Sequence, residues 1–147
     1  MRVVAQCLLE HNSQLLLQEF WHEHDHYYFF RPPGGGIEPG EYAADAMLRE
    51  IQEELAAEVS KPVLVDVLEN IFEYDGQTRH EIVFLFRATV LDERLTSVPE
   101  IRFIDNSFEF RAVWIPVAQL LQGDDLVLYP VGLRERLPQL YPEALSV

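Results

Sequence analysis

Cysteine is nearly missing from this chain of 147 residues: Cys7 is the only one. No disulfide can form within the chain, which fits a reducing, cytoplasmic location. The apolar neighbours Val3, Val4, Leu8 and Leu9 place Cys7 as a small core residue. Long apolar runs are missing too. None approaches the roughly 20 residues of a membrane span, so no membrane partner is expected. The opening MRVVAQCLLEHN is closed by Glu10 and His11 and reads as a first strand, not as a signal peptide. Basic residues are scarce, with 11 Lys and Arg against 25 Asp and Glu, a formal charge of −14. Such a surface repels nucleic acid, which is bound chiefly through Lys and Arg contacts to phosphate. It repels free anionic substrates as well, so any phosphate chemistry here requires a local cation, a metal or a few placed arginines.

What is present suits one domain spanning residues 1–147. Hydrophobic residues make up 48%, enough for an ordinary core. There are no repeats or low-complexity tracts. Val3–Leu9 and Gln14–Phe20 read as a hairpin, and Tyr27–Phe30 as an aromatic strand ending at Pro32-Pro33-Gly34-Gly35-Gly36, where regular structure is expected to stop. A helical pattern covers Tyr42 to about Leu55. Pro62–Tyr74 and Thr78–Leu91 read as strands around an Asp75-Gly76 turn. The run HEIVFLF has apolar residues on both faces, as a central strand does. A strand at 108–115 and short helices at Val117–Gln122 and Val131–Leu137 follow. Strands, helix, strands, helix is the order of an α/β fold: a mixed sheet with helices packed on it.

The predicted helix carries REIQEELAAEV. On a turn of about 100° per residue, Ala44, Leu48, Ile51 and Leu55 form the core stripe, with Met47 at its edge. Glu50, Glu53 and Glu54 form a second stripe, with Ala43, Ala46 and Ala57 among them. Like charges at these spacings repel by a few tenths of a kcal/mol per pair, and no lysine neutralises them. An acidic solvated face is the bland explanation. The glycine loop PPGGGIEPGE directly before the helix argues for a ligand instead, because glycine lets a ligand approach the backbone closely.

Gly35, Glu41, Arg49, Glu50, Ile51, Glu53 and Glu54 stand in the order and spacing of the Nudix box, so the chain resembles that family over Gly35 to Ala57. Two departures stand out. Ala56 replaces the final glycine, which ends the helix in a left-handed conformation, so the helix is expected to run past Leu55 towards Val59. Tyr42 stands where a capping Ser or Thr often sits. The resemblance implies an α/β/α sandwich with a mixed β-sheet. It implies a pyrophosphohydrolase that uses Mg²⁺, or Mn²⁺ as a substitute, and a small-molecule substrate with a nucleoside diphosphate linked to another moiety. It implies metal ligation by Glu50, Glu53, Glu54 and the Gly34 carbonyl, an orienting role for Arg49 beside these catalytic glutamates, and a Glu41 that ties down the loop. A non-catalytic nucleotide sensor and a hydrolase of non-nucleotide diphosphates are the alternatives, and a homodimer stays open.

Outside the box, a further carboxylate is expected as metal ligand or base. Glu109 is the first choice, before Glu81 and Glu100. Arg31 is a candidate for substrate phosphate, with Gly35 and Gly36 beside it. His22, His24 and His26 read as a polar loop at the cleft mouth and not as a zinc site. Tyr74 lies where some diadenosine polyphosphate hydrolases of the family carry a tyrosine.

Overall fold

The structure is a computed structural model that describes residues 1–105, 107–123 and 125–145. In chain order its elements are β1 (Arg2–His11), β2 (Gln14–His22), β3 (Tyr27–Arg31), β4 (Gly34–Gly36), α1 (Ala43–Leu55), β5 (Val63–Tyr74) and β6 (Gln77–Thr89). There follow α2 (Glu93–Thr96), β7 (Glu100–Asp105), β8 (Phe108–Pro116), α3 (Val117–Gln122), β9 (Val127–Leu128), α4 (Leu133–Leu140) and a 3-10 turn at Pro142–Leu145. Both expected hairpins form. The loop residues Asn12 and Ser13 have φ of 50° and 60°, and Asp75 and Gly76 have 52° and 72°. Two consecutive positive φ angles make the tight turn whose twist matches paired strands.

The sheet runs β5-β6-β1-β2-β3-β9, with β1 and β6 parallel and the β7–β8 pair attached to β2. Regular structure does not stop at the glycines. Gly34–Gly36 add a short strand to β1, pairing Gln6 with Gly34 and Val4 with Gly36. This pairing splits the sheet. β1 pairs with β2 only near the turn, from Leu9↔Leu16 to His11↔Gln14. Beyond Leu9, β1 turns to β4, while β2 turns to β3 and β8. The chain crosses between the two prongs at Pro32-Pro33, and a cleft opens in the fork.

Alternation along β1 supplies both faces of the core. Val4 and Leu8 pack with Val83, Leu85, Leu120, Leu133 and Leu137 on the side of α3 and α4. Ala5, Cys7 and Leu9 pack with Met47, Ile51 and Leu55 on the side of α1. Each fully buried Leu contributes about 1.5–3 kcal/mol of transfer free energy. The result is the expected α/β/α sandwich. HEIVFLF lies in β6, which is not central as expected but next to the edge, an inner strand between β5 and β1. The 93–96 helix and the 100–105 strand are additions to the elements read from the sequence. Among the described residues no helix is long and apolar enough to cross a membrane.

Helix α1 differs from expectation in two ways. Its buried side chains are Ala46, Met47, Ile51 and Leu55, whereas Leu48 is 42% exposed. The small residues Ala5 and Cys7 of β1 and Ala46 of the helix share one packed cluster. Their size permits close approach, and the helix turns that side inward. Glu50 and Glu54 are thereby drawn to the edge of the buried face. The helix also ends at Leu55. Ala56 takes the left-handed conformation at φ 49° and ψ 38°, and its N–H donates to the Gln52 carbonyl at 3.1 Å. Fold constraints override the preference of alanine, which is strained there by about 1 kcal/mol.

Replacing Ala56 with glycine is therefore expected to stabilise the protein by about 1 kcal/mol. Thermal unfolding should show a melting temperature roughly 2–4 °C higher. A lower one would mean that the left-handed cap carries no strain.

Candidate active site

The acid stripe, the glycine loop and the fork meet in a cavity of about 400 Å³. Its walls include Gln6, Gln18, Arg31, Gly34, Gly35, Gly36, Glu50, Glu53 and Glu54. Local sequence explains how closely they pack. A side chain at Gly34 would place a Cβ 2.0 Å from the Ala5 carbonyl oxygen, and one at Gly35 would stand 2.5 Å from the Glu50 carboxyl carbon. Only glycine lets β4 lie between β1 and this carboxylate.

Arg49 organises the entrance. Its Nε and Nη2 donate to both oxygens of Glu41 at 2.8 and 3.0 Å, its Nη1 to Glu50 at 3.0 Å, and its Nη2 to the Gly36 carbonyl at 3.2 Å. Glu53 lies 3.5 Å from the same guanidinium. The Glu38 N–H donates to Glu41 at 3.1 Å. These bonds, the Arg49 fork first, hold Glu41 down at about 2, well below the usual carboxylate range. Arg49 is raised in turn, mainly by Glu41.

Glu54 is the member that this cation does not reach. It sits deeper, accepts a hydrogen bond from the Gln18 amide and shares one with Glu50. Burial, and then the Glu50 carboxylate, push it up to about 8, while Gln18 and Arg31 act against the shift. Arg31 is half-buried, with its guanidinium 4.3 Å from the Phe20 ring centre. Burial lowers its affinity for the proton; Glu81 and Glu54 oppose that, and Arg2 adds to it. Among the described residues Arg31 has no ion-pair partner, so the cleft holds a cation free to take an anion.

Among the described residues no three His, Cys, Asp or Glu side chains are arranged to enclose an ion by themselves. Magnesium does not require that, since it commonly takes one or two carboxylates and completes its shell with water and substrate phosphate. The Glu50–Glu54 pair fits such an ion. Two oxygen ligands crowd together at a cost that a cation would remove, with the Gly34 backbone in the same wall.

The downstream carboxylates separate cleanly. Glu109 does not join the cluster. Phe110 faces the cavity, so by strand alternation its neighbour faces away. Glu109 lies exposed on the other side, bonded to Arg102 at 3.0 Å. Glu100 is held by Arg111 at 2.9 Å. Glu81 is the one the fold brings in: it is buried, lines the cleft, accepts from Asn70 at 3.3 Å and stands 3.7 Å from Arg2. Sequence reasoning missed Gln6 and Gln18, although each is a polar residue interrupting an apolar strand run. Of the three histidines, His24 is exposed, His26 stacks on Trp21, and His22 is buried with its Nδ1 accepting the Asp25 N–H at 3.1 Å.

In the metal-free protein, a Glu54 titrating near 8 when folded and near 4.5 when unfolded stabilises relative to its ionised form only below that window. As pH rises from about 4.5 to 8 the unfolded chain loses this proton and the folded chain does not. The contribution then falls by up to about 1.4 kcal/mol per pH unit. Glu54→Gln is expected to remove that slope, so the gap in unfolding free energy between variant and parent should widen in its favour up to pH 8. A gap independent of pH would show that Glu54 ionises freely.

The NUDIX domain profile matches residues 1–133. No curated protein matches the chain in sequence. Among solved structures, a NUDIX hydrolase from Nitrosomonas europaea superposes with a TM-score of 0.65 at 20% identity, over 97% of this chain and 88% of that one. A MutT NUDIX hydrolase from Burkholderia pseudomallei gives 0.66 at 20% identity, over 95% and 97%. A protein described as an ADP compounds hydrolase gives 0.65 at 19% identity, over 99% and 73%. At these identities the structural likenesses speak for the fold, and the profile match speaks for the family. The chain belongs to the NUDIX domain family of hydrolases.

Proposed function

We propose that the protein hydrolyses the diphosphate bond of a nucleoside diphosphate linked to another moiety, with Mg²⁺, or Mn²⁺ in its place. The observation that carries this reading is one cavity that holds both the crowded Glu50–Glu54 carboxylate pair, of which Arg49 reaches only Glu50, and an Arg31 without an ion-pair partner among the described residues. One half of the site calls for a cation and the other for an anion. A metal–diphosphate complex supplies both. The structure described as an ADP compounds hydrolase supports a substrate of this class.

In this reading Glu50 and Glu54 hold the ion, with the Gly34 carbonyl beside them, and Glu53 stands at the rim as a further ligand. When bound, the ion offsets charge on the diphosphate oxygens and lowers the pKa of a bound water. Arg31 binds a phosphate of the substrate, while Gly35 and Gly36 leave room for it against the backbone. Arg49 is a positioning residue. It fixes Glu50 in place through the bond at 3.0 Å and ties helix to loop through Glu41. Glu81 replaces Glu109 as the downstream carboxylate and accepts the proton of the attacking water. Water adds to one phosphorus, the bond from that phosphorus to the bridging oxygen breaks, and the bridging oxygen leaves with the second phosphate.

Glu54→Gln keeps the size of the side chain and removes its charge. Turnover of a nucleoside diphosphate derivative should fall at least a hundredfold, since a metal supplies several kcal/mol of transition-state stabilisation and each 1.36 kcal/mol is about tenfold. Millimolar Mg²⁺ should raise the melting temperature of the parent, as a ligand of the folded state must, and leave the variant unmoved. Glu58→Gln, exposed just beyond the helix, should cost little in either assay. Equal small losses in both variants would reduce the stripe to an acidic helix face. No turnover by the parent across a broad panel would overturn the catalytic reading.

A further inference from the structure

Three adjacent strands place a row of polar residues across the sheet. Arg2 on β1 stands opposite Glu81 on β6, and Glu81 stands opposite Asn70 on β5. The row is anchored at one end only. Asn70 accepts the Val131 N–H at 3.0 Å and donates its own amide to one oxygen of Glu81 at 3.3 Å. Asn70 is buried, so this side is fixed. At the other end Arg2 approaches the second oxygen of Glu81 only to 3.7 Å. That is longer than a hydrogen bond, and the Arg2 side chain is 61% exposed. Such a pair contributes little. The loose arginine stands at the first cavity, which it lines together with Arg31 from the opposite prong of the fork. A Cβ at Gly36 would lie 3.4 Å from its Nη2, so the guanidinium rests over the short strand β4. Arg2 acts against the charge of Arg31. Two arginines thus share one cleft and repel each other. An anion that bridges them removes that repulsion, and a guanidinium fork matches the oxygens of a phosphate.

We propose that Arg2 is a second phosphate-binding residue, which rests on Glu81 in the free protein and moves to the diphosphate when substrate binds. The inference rests on the hydrolase reading for its choice of ligand. A diphosphate carries charge on both phosphorus centres. Arg31 serves one of them in that reading, and Arg2 serves the other. Its departure uncovers the outer oxygen of Glu81, while Asn70 keeps the carboxylate aimed. The base is thereby opened to the attacking water only when a substrate is in place.

The test is a binding cycle on the full chain with Mg²⁺ and methylenediphosphonate, a diphosphate whose carbon bridge water does not cleave. Calorimetry compares the parent, Arg2→Ala, Glu81→Gln and the double variant. Arg2→Ala should weaken binding about tenfold or more, the scale of a hydrogen bond to a charged group. Glu81→Gln should tighten binding severalfold in the parent background, because Arg2 no longer has a carboxylate to leave, and change it little in the Arg2→Ala background. That dependence is the signature of the transfer. Arg2→Lys should recover part of the lost affinity, since it keeps the charge and lacks the fork. The binding stoichiometry counts the folded protein, so poor folding of a variant does not mimic a change in affinity. Equal affinity of the parent and Arg2→Ala would overturn the proposal, as would equal tightening by Glu81→Gln in both backgrounds or no binding by the parent. The full pattern without turnover of any nucleoside diphosphate derivative would support Arg2 and overturn the catalytic reading. Turnover by a parent whose affinity does not depend on Arg2 would leave that reading standing and sink this one.

Discussion

One guanidinium holds the acidic face together. Arg49 grips Glu41 through two hydrogen bonds, Glu50 through a third and the Gly36 carbonyl through a fourth. In a protein of charge −14 that fork joins three segments that would otherwise repel or drift: the loop's end before the helix, the short strand β4 and the acid stripe of α1. Ten of the eleven basic residues are arginines. A planar, always-charged fork suits this task better than a lysine point charge. What Arg49 leaves out matters as much. Glu54 lies beyond its reach, so burial and the Glu50 carboxylate act on Glu54 with only Gln18 and Arg31 against them. The same network thus makes the loop rigid and leaves one carboxylate to seek a cation.

The fork in the sheet supplies the space that this chemistry uses. β1 cannot pair with both β2 and β4 along its length. It pairs with β2 at one end and with β4 at the other, and the gap between the prongs becomes the cleft. Gly34 permits the second pairing, since any Cβ there would collide with the Ala5 carbonyl. A local steric freedom in the sequence thereby becomes a fold-level feature. The prongs present different chemistry to the gap: glycine backbone and the helix acids from one side, Gln18, Phe20, Phe29 and Arg31 from the other.

Features set by short-range patterns were legible in the sequence. Asp75-Gly76 marked the second hairpin, a run apolar on both faces marked β6 as an inner strand, and acids three and four apart marked one helix face. The α/β class followed from the order of such segments. Features set by registry between segments were not. Which side of α1 turns inward depends on Ala46 meeting Ala5 and Cys7 across the interface, so Leu48 was misplaced. Glu109 looked suitable because it precedes the strand that leads to Trp114, but strand parity points it away from Phe110 and the cleft. Glu81 owes its place to register, opposite Arg2 on β1 and Asn70 on β5. The rings of His22, Phe29, Phe72, Tyr74 and Tyr129 line one cavity, and no local pattern connects them. Ala56 shows the reverse case, in which a correct local preference was overridden by the packing of the chain that follows.

The charge puzzle posed by the composition resolves in layers. Outside, several acidic side chains are paired with arginines, as Glu19 and Glu100 are with Arg111 and Asp66 is with Arg136. Those pairs are part-exposed and contribute little stability each. Within the fork the pairing is withheld: Glu54 faces another carboxylate, and Arg31 lies over a ring without an anion partner. Opposite charges that stand near each other would ordinarily join into an ion pair. Here the guanidinium lies 4.3 Å from the Phe20 ring centre, and Gln18 donates to one oxygen of Glu54. Burial and the Glu50 carboxylate keep the proton on Glu54 until a cation displaces it, so Arg31 meets no full negative charge there and stays ready for a ligand that carries its complement.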